Sequence, residues 1–180
     1  MLKGDKVILR PLKFADIEKI SEWRNDLETI QLAQYPRFPK TIEMDKEWFD
    51  MLLADRSNKN IYFGIDEIES KMFIGISQLN NIDYVSGTAI WGLVIGSKEK
   101  RGMGLGIESL KLLIDYAFGV LNLRKLFGYP LEKNVSTMGL HKKLNVIKEE
   151  GRLKQHYYFD GEYHDVLILS LFKEDYLSDR

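Results

Sequence analysis

Arg101-Gly102-Met103-Gly104-Leu105-Gly106 lies between a strand-like apolar run, Ile90 to Ile95, and a helical stripe that begins near Leu105. Glycines at a strand-to-helix turn let main-chain N–H groups come close to an anion, and the positive end of the helix dipole favours the anion's charge. The stretch therefore has the makings of a phosphate cradle, and spacing decides which kind. A dinucleotide fingerprint needs a third glycine three residues after the second, and counted from Gly104 that place holds Ile107. A P-loop needs Gly-Lys-Ser/Thr, whereas Gly106 is followed by Ile107 and Glu108. What is left is a basic residue, Arg101, with glycines three and five places on.

Working outward, Val7 to Leu9 reads as a short strand that Arg10-Pro11 ends. A helix follows, with Ile17, Ile20, Trp23 and Leu27 near helical spacing and with Asp16 and Glu18 at its positive end. The two prolines of Tyr35-Pro36-Arg37-Phe38-Pro39 make a loop. Thr41 is an N-cap for a second helix with Glu43 and Asp45 in its first turn and Trp48, Phe49, Leu52 and Leu53 as its buried stripe. Ile61 to Ile65, Met72 to Leu79 and Thr88 to Ile95, rich in Ile, Phe and Val and parted by turns such as Glu69-Ser70-Lys71, read as an antiparallel meander.

After the glycine loop, Leu110, Leu113, Ile114, Ala117 and Phe118 predict a helix over 105–121. Lys125 to Leu131 is a strand reached by a helical crossover, hence parallel to the strand before the loop. A further helix spans Asn134 to Leu144, and Gln155 to Phe172 is a hairpin turning at Asp160-Gly161. The order β-α-α-β-β-β-α-β-α-β-β is mixed α/β with a largely antiparallel central sheet flanked by helices.

The 180 residues fit one domain, residues 1–180, with no Pro/Gly/Ser-rich linker and no internal repeat. Composition is ordinary, 44% hydrophobic and 29% charged with a net charge of −1, so the basic footprint of a nucleic-acid binder is missing. No apolar run approaches membrane-spanning length and no signal-peptide pattern stands at the N-terminus, so no membrane partner is expected. With zero cysteines there is no disulfide framework, no thiolate nucleophile and no Cys-based zinc site. The cytoplasm is the expected compartment, no metal is expected, and a homodimer stays open.

Arg101-x-x-Gly104-x-Gly106 resembles the Q/R-x-x-G-x-G/A motif of the GNAT (GCN5-related) N-acetyltransferases, whose loop amides hold the pyrophosphate of acetyl-CoA. A second stretch strengthens the likeness. From Asn134 to Gly151 the chain is similar to the family's N-x-x-(S/A)-x-x-L-Y-x-K-L-G-F-x-x-x-G segment, with Asn134, Thr137, Leu140, Lys143 and Leu144 in place and Gly151 one residue beyond the final glycine. Phe118 to Phe127 and the hairpin Phe159 to Asp165 resemble the branch that includes ribosomal-protein N-terminal and spermidine acetyltransferases. The order of elements is also the family's.

The resemblance implies direct acetyl transfer from acetyl-CoA to a primary amine, with no enzyme nucleophile. It implies cofactor contacts from the strand end Leu93, Val94 and Ile95, from the loop Arg101, Gly102, Met103, Gly104, Leu105 and Gly106, and from Asn134 and Thr137. A main-chain N–H near Leu93 would stabilise the oxyanion. Three positions depart from the pattern: His141 stands for the family's Tyr, Asn145 for Gly and Val146 for Phe. The Tyr is the general acid for the departing thiolate in many members, and an imidazole can serve the same end, which makes His141 the candidate acid. A frequent Glu two places before the strand's Gly92 is Ile90 here, with Asp83, Glu132 and Tyr129 as substitute bases.

Trp23-Arg24-Asn25 resembles the W-R-N of family members that acetylate amino groups on nucleotide-linked sugars. Arg suits a diphosphate and aromatic faces suit a sugar, so Trp23, Arg24, Asn25 and Arg37 are the candidate acceptor residues and a nucleotide-linked amino sugar the first acceptor. A polyamine would want clustered carboxylates, and the acceptor-side segments offer few beyond Asp26 and Glu28. Polyamine and protein N-terminal acetylation stand as alternatives, and a non-catalytic acetyl-CoA-binding module as one of another class.

Overall fold

In the computed structural model, which describes residues 1–34 and 37–179, the chain opens with β1 (Leu2–Lys3) and β2 (Val7–Pro11) and then turns through three helices, α1 (Ile17–Asn25), α2 (Leu27–Ala33) and α3 (Ile42–Ala54). The meander follows as β3 (Ile61–Glu67), β4 (Phe73–Asp83) and β5 (Thr88–Ile95). After the glycine loop come α4 (Leu105–Asp115), β6 (Lys125–Gly128), α5 (Val135–Lys143), β7 (Lys148–Phe159), β8 (Glu162–Phe172) and α6 (Lys173–Ser178). All eight strands join one sheet in the order β1-β2-β3-β4-β5-β6-β8-β7. Every pairing is antiparallel except β5 with β6, so the mixed, largely antiparallel α/β architecture read from the sequence is the one observed. No described helix is long and apolar enough to cross a membrane.

The sheet buries both faces. On one, Leu110, Leu113 and Ile114 of α4 pack against Val7, Leu9, Ile65, Leu79 and Leu126, the i, i+3, i+4 stripe facing strand residues that alternate toward it. On the other, Ile20 and Trp23 of α1 cover Ile76, and the Trp23 indole lies 5.0 Å from the Phe73 ring. A buried charge fixes the start of α1. Arg10 on β2 makes a two-pronged pair with Asp16 at 2.7 and 2.9 Å and reaches Asp66 on β3 at 2.7 Å. Burial alone would lower the Arg10 pKa, but the hydrogen bonds from Asp16 and Asp66 outweigh it and raise it.

Several elements differ from the pattern reading. The first helix stops at Asn25, because Asp26 is extended and its carboxylate accepts the Thr29 N–H, starting α2 as a separate helix. Leu27 is accordingly 73% exposed and Leu53 54% exposed, so neither belongs to a buried stripe. The helix after the loop is α-helical to Asp115 and closes in a π turn over Tyr116–Val120. The strand expected to reach Leu131 ends at Gly128, two residues before Pro130, which has no N–H to donate. The final hairpin starts at Lys148 rather than Gln155. Tyr35 and Pro36 of the expected aromatic loop lie outside the described residues.

Asp16→Ala leaves Arg10 buried with Asp66 as its remaining partner and should cost about 3 kcal/mol of stability, the lower end for breaking a buried pair. A urea unfolding midpoint unchanged from the parent would show that the pair does not anchor α1.

Candidate active site

The glycine loop does not work alone; it closes one end of a split in the sheet. β5 pairs with β6 only through Thr88, Ala89 and Ile90 against Lys125, Leu126 and Phe127. Past that point the chain beyond β6 follows β8, with the Leu167 N–H donating to Pro130 O and the Glu132 N–H to Asp165 O, while β5 stays with β4 to Ile95. The gap holds a cavity of about 220 Å³. Leu93, Val94 and Ile95 form one wall, the first turns of α5 from Asn134 to Thr137 the other, and the loop from Arg101 to Gly106 the end. Thr29, Leu32 and Ala33 of α2 lie over it.

Main-chain groups alternate sides along a strand. The Gly96 N–H reaches Ile74 O on β4, whereas Ile95 O turns the other way to accept Arg101 Nε. By the same alternation Leu93 presents its N–H to the edge that β6 has left. That is the position an oxyanion donor requires.

Gly102 and Gly104 adopt φ of +78° and +84°, a left-handed region that strains any L side chain, and Gly104 is the N-cap of α4. A Cβ at Gly102 would meet no atom within 4 Å, and one at Gly104 only Lys6 Nζ at 3.8 Å. The cradle is thus open on its outer side, with amides at a helix N-terminus, and it fits the pyrophosphate of acetyl-CoA. Gly106 also lines the cavity, whereas Met103 is exposed and Leu105 buried, and neither lines it.

The side chain expected to sit on phosphate does something else. Arg101 donates to Ile95 O at 2.9 Å, Gly96 O at 3.4 Å, Glu28 at 2.6 Å and Thr29 Oγ1 at 3.0 Å. All its nitrogens face acceptors within the chain, so in this structure the guanidinium ties the end of β5 to α2 while its residue lines the cavity. Lys98 adds pairs to Asp26 at 2.8 Å and Glu28 at 3.1 Å. At the far end of α2, Gln34 donates to Tyr129 O at 2.6 Å and Asn134 Nδ2 to Leu32 O at 3.1 Å. Helix α2 is therefore a strap tied to both walls of the split. Asn134 serves it while its Oδ1 caps α5 through the Thr137 N–H at 3.1 Å.

The acceptor residues read from the sequence are not brought to the cavity. Trp23 is buried, and a Cβ on Gly96 would run into its indole. Arg24 pairs with buried Asp45 at 2.6 Å and lies 4.8 Å over the Trp48 ring. Asn25 bonds Lys40 N and Lys40 O, holding the loop before α3. These three are structural, because their polar groups are engaged by the helix and loop they join. Arg37 lies 4.5 Å over the ring of Tyr157 in the final hairpin. His141 does not line the cavity. It follows Thr137 by one turn on the same stripe of α5, and its Nε2 is buried with no hydrogen-bond partner among the described residues. Of the substitute bases, Asp83 accepts the Val85 and Ser86 N–H groups of a turn, and hydrogen bonds from the Ser86 side chain and then from these main-chain groups hold it below the usual carboxylate range. Glu132 is paired with Arg152 at 2.8 Å, and Tyr129 stands at the far end of the strap.

The reading missed α2 entirely, and with it Thr29, Leu32 and Ala33. The signal was present in Asp26-Leu27-Glu28-Thr29, an N-cap pattern inside what looked like one longer helix. It also missed Ser136, Gly139 and Lys143, which carry the cavity down α5 at helical spacing.

A strand that leaves its parallel neighbour, a glycine loop at a helix N-terminus and an amide facing the gap define an acyl-CoA transferase site. The family model described as acetyltransferase (GNAT) domain matches residues 6–146, and the chain belongs to that family. It is an N-acetyltransferase with acetyl-CoA as co-substrate. Spermidine N(1)-acetyltransferase of Escherichia coli K12 is 26% identical over 179 residues, covering 99% of this chain and 92% of that protein. Spermidine N(1)-acetyltransferase of Vibrio cholerae is 23% identical over 175 residues, covering 97% and 98%. The fold is shared with a crystal structure of Vibrio cholerae spermidine N-acetyltransferase in complex with CoA and spermine, at TM-score 0.87 and 22% identity over 97% of this chain and 99% of that one.

The strap has a pH signature. The hydrogen bond from Lys98, joined by those from Thr29, lowers Asp26 from 3.8 to about 2. A depressed carboxylate stabilises the fold above its unfolded pKa and loses that contribution as pH falls through its folded pKa, so the strap should weaken between about pH 4 and 2. Asp26→Asn should remove that component, and a carboxyl NMR titration placing Asp26 at its unfolded value would show the tie to be absent.

Proposed function

We propose that this chain transfers the acetyl group of acetyl-CoA to a primary amine of a polyamine. Support comes from the spermidine acetyltransferases similar to it over 97–99% of its length. One further observation agrees with a cationic acceptor: the Tyr157 and Tyr158 rings of the final hairpin hold the Arg37 guanidinium at 4.5 and 5.9 Å. Such faces attract an ammonium as they attract a guanidinium. The nucleotide-linked amino sugar read first from the sequence is set aside. Trp23, Arg24 and Asn25, which carried it, hold α1 to its neighbours.

Direct transfer needs three things of the protein. The ammonium must lose a proton, which for a group of pKa about 10.4 costs roughly 4–5 kcal/mol at pH 7. The carbonyl oxygen must find a donor as charge develops on it, the role given to the Leu93 N–H on the open edge of β5. The departing thiolate must be stabilised, and that role falls in this proposal to His141, whose buried Nε2 has no hydrogen-bond partner among the described residues. Cysteine's absence is consistent with transfer that needs no acyl-enzyme and keeps the cytoplasm as the proposed compartment.

With acetyl-CoA and a panel of amines, CoA release should follow addition of spermidine or spermine. Turnover of nucleotide-linked amino sugars or free peptide N-termini with polyamines inert would overturn the acceptor. His141→Phe should lower turnover at least about tenfold, the low end for general acid catalysis because a thiolate is a good leaving group. Acetyl-CoA affinity should change little, since loop and strand are untouched. Full turnover in that variant, with chemistry rate-limiting, would remove His141 from the mechanism.

A further inference from the structure

The four contacts of Arg101 leave the glycine loop without the cation its motif promised. The two lysines that precede the loop in sequence are also engaged. Lys98 is held by Asp26 and Glu28, and Lys100 pairs with buried Glu67 at 2.6 Å, a contact that raises its pKa. Opposite them stands Lys6, in the turn between β1 and β2, whose Nζ comes within 3.8 Å of where a Gly104 Cβ would be.

We propose that Lys6, and not Arg101, supplies the cation for the diphosphate of acetyl-CoA at this loop. This rests on reading the cavity as the acetyl-CoA site.

The placement of Lys6 is built rather than incidental. Its N–H donates to Glu108 Oε1 at 2.8 Å, with the Val7 N–H joining at 3.4 Å, and Glu108 stands in the first turn of α4, the helix the loop opens. The Lys6 carbonyl accepts the Ile68 N–H at 2.8 Å. Both main-chain groups are thus fixed, one of them by the helix whose N-terminus forms the cradle. Gly4 is part of the device, because a Cβ there would collide with the Glu108 carboxylate. The stem then carries the ammonium over Gly104, on the open side left by Gly102 and Gly104.

The chemistry complements the loop. Amides at a helix N-terminus offer directed donors and partial charge, and a diphosphate needs a full positive charge as well. An ammonium on a flexible stem meets it as a point charge, which suits a ligand that enters from solvent. Arg101, planar and many-pronged, is instead matched to the fixed acceptors Ile95 O, Gly96 O, Glu28 and Thr29.

The test is calorimetric binding with Lys6→Ala, using acetyl-CoA, 3′-dephospho-CoA and S-acetylpantetheine. Lys6→Ala should weaken acetyl-CoA and 3′-dephospho-CoA alike by about tenfold, with the difference shrinking at high salt, and should leave S-acetylpantetheine, which has no diphosphate, unchanged. Lys6→Arg should restore most of the affinity. The thermal midpoint of Lys6→Ala should match the parent, because the tethers use main chain. Parent-like affinity for acetyl-CoA in Lys6→Ala overturns the proposal. A loss seen with acetyl-CoA but not with 3′-dephospho-CoA assigns Lys6 to the 3′-phosphate and overturns it also. A parent protein that binds no acetyl-CoA would fail the cofactor reading itself, a result visible before any variant is made.

Discussion

The parting of β5 from β6 after three paired residues is the constraint on which the rest of the site depends. A strand edge normally demands a partner, since its N–H and C=O groups otherwise stay unsatisfied. Here Tyr129-Pro130 takes the chain away toward β8, and the far half of β5 keeps an open edge. Leu93 can then offer its N–H to a ligand, and α5 and α2 can line the gap without closing it. The Trp91 indole nitrogen lies 3.1 Å from where a Gly128 Cβ would be, so the last residue of β6 has little room for a side chain just where the strands begin to diverge.

Closure of the gap relies on charge more than on apolar burial. Helix α2 is seven residues long and buries only Thr29 and Ile30, too short to be stable by itself in water. Its N-terminal end is held by Lys98 and Arg101, its C-terminal end by Gln34 and Asn134. Exposed ion pairs contribute little each and are screened by salt, and the Glu28 side chain is 54% exposed. Such an element belongs to the low-stability end of a fold, where binding segments are commonly drawn from. The strap over the cavity is therefore the part of the candidate site most open to adjustment, while strand, loop and α4 stay fixed by the core.

What was legible in the sequence follows from how local each signal is. The α4 stripe, the β3–β5 meander and the Asp160-Gly161 hairpin are written in periodicity and turn residues, and all three appear. The glycine cradle is equally local, since positive φ at Gly102 and Gly104 follows from residue type. The roles of Trp23, Arg24, Asn25 and Arg101 were not legible, because each depends on a partner far away in sequence: Gly96, Asp45, Lys40 and Glu28. A motif records that a residue type stands at a place; which acceptors the fold delivers to it is decided in three dimensions. The α2 strap was hidden for a related reason. Asp26 caps a helix inside an apparently continuous pattern, and only its extended backbone breaks the run.

The same reasoning bears on acceptor chemistry. Asp26 and Glu28 looked like the carboxylates a polyamine would seek, yet both are neutralised by Lys98 and Arg101 and hold α2 in place. An ammonium that displaced those pairs would loosen the strap over the cavity it needs. Recognition of a cation by the aromatic hairpin avoids that conflict, because Tyr157 and Tyr158 lie on β7, held to β8 by direct pairing with His164 and Tyr163. Arg37 would then be the group displaced. It is an exposed loop residue that lies over those two rings, and exchange of one cation for another on an aromatic face costs far less than breaking the ties of α2. Under the proposed polyamine reading the hairpin would meet the acceptor's positive charges, leaving the acidic first turn of α2 to its structural task.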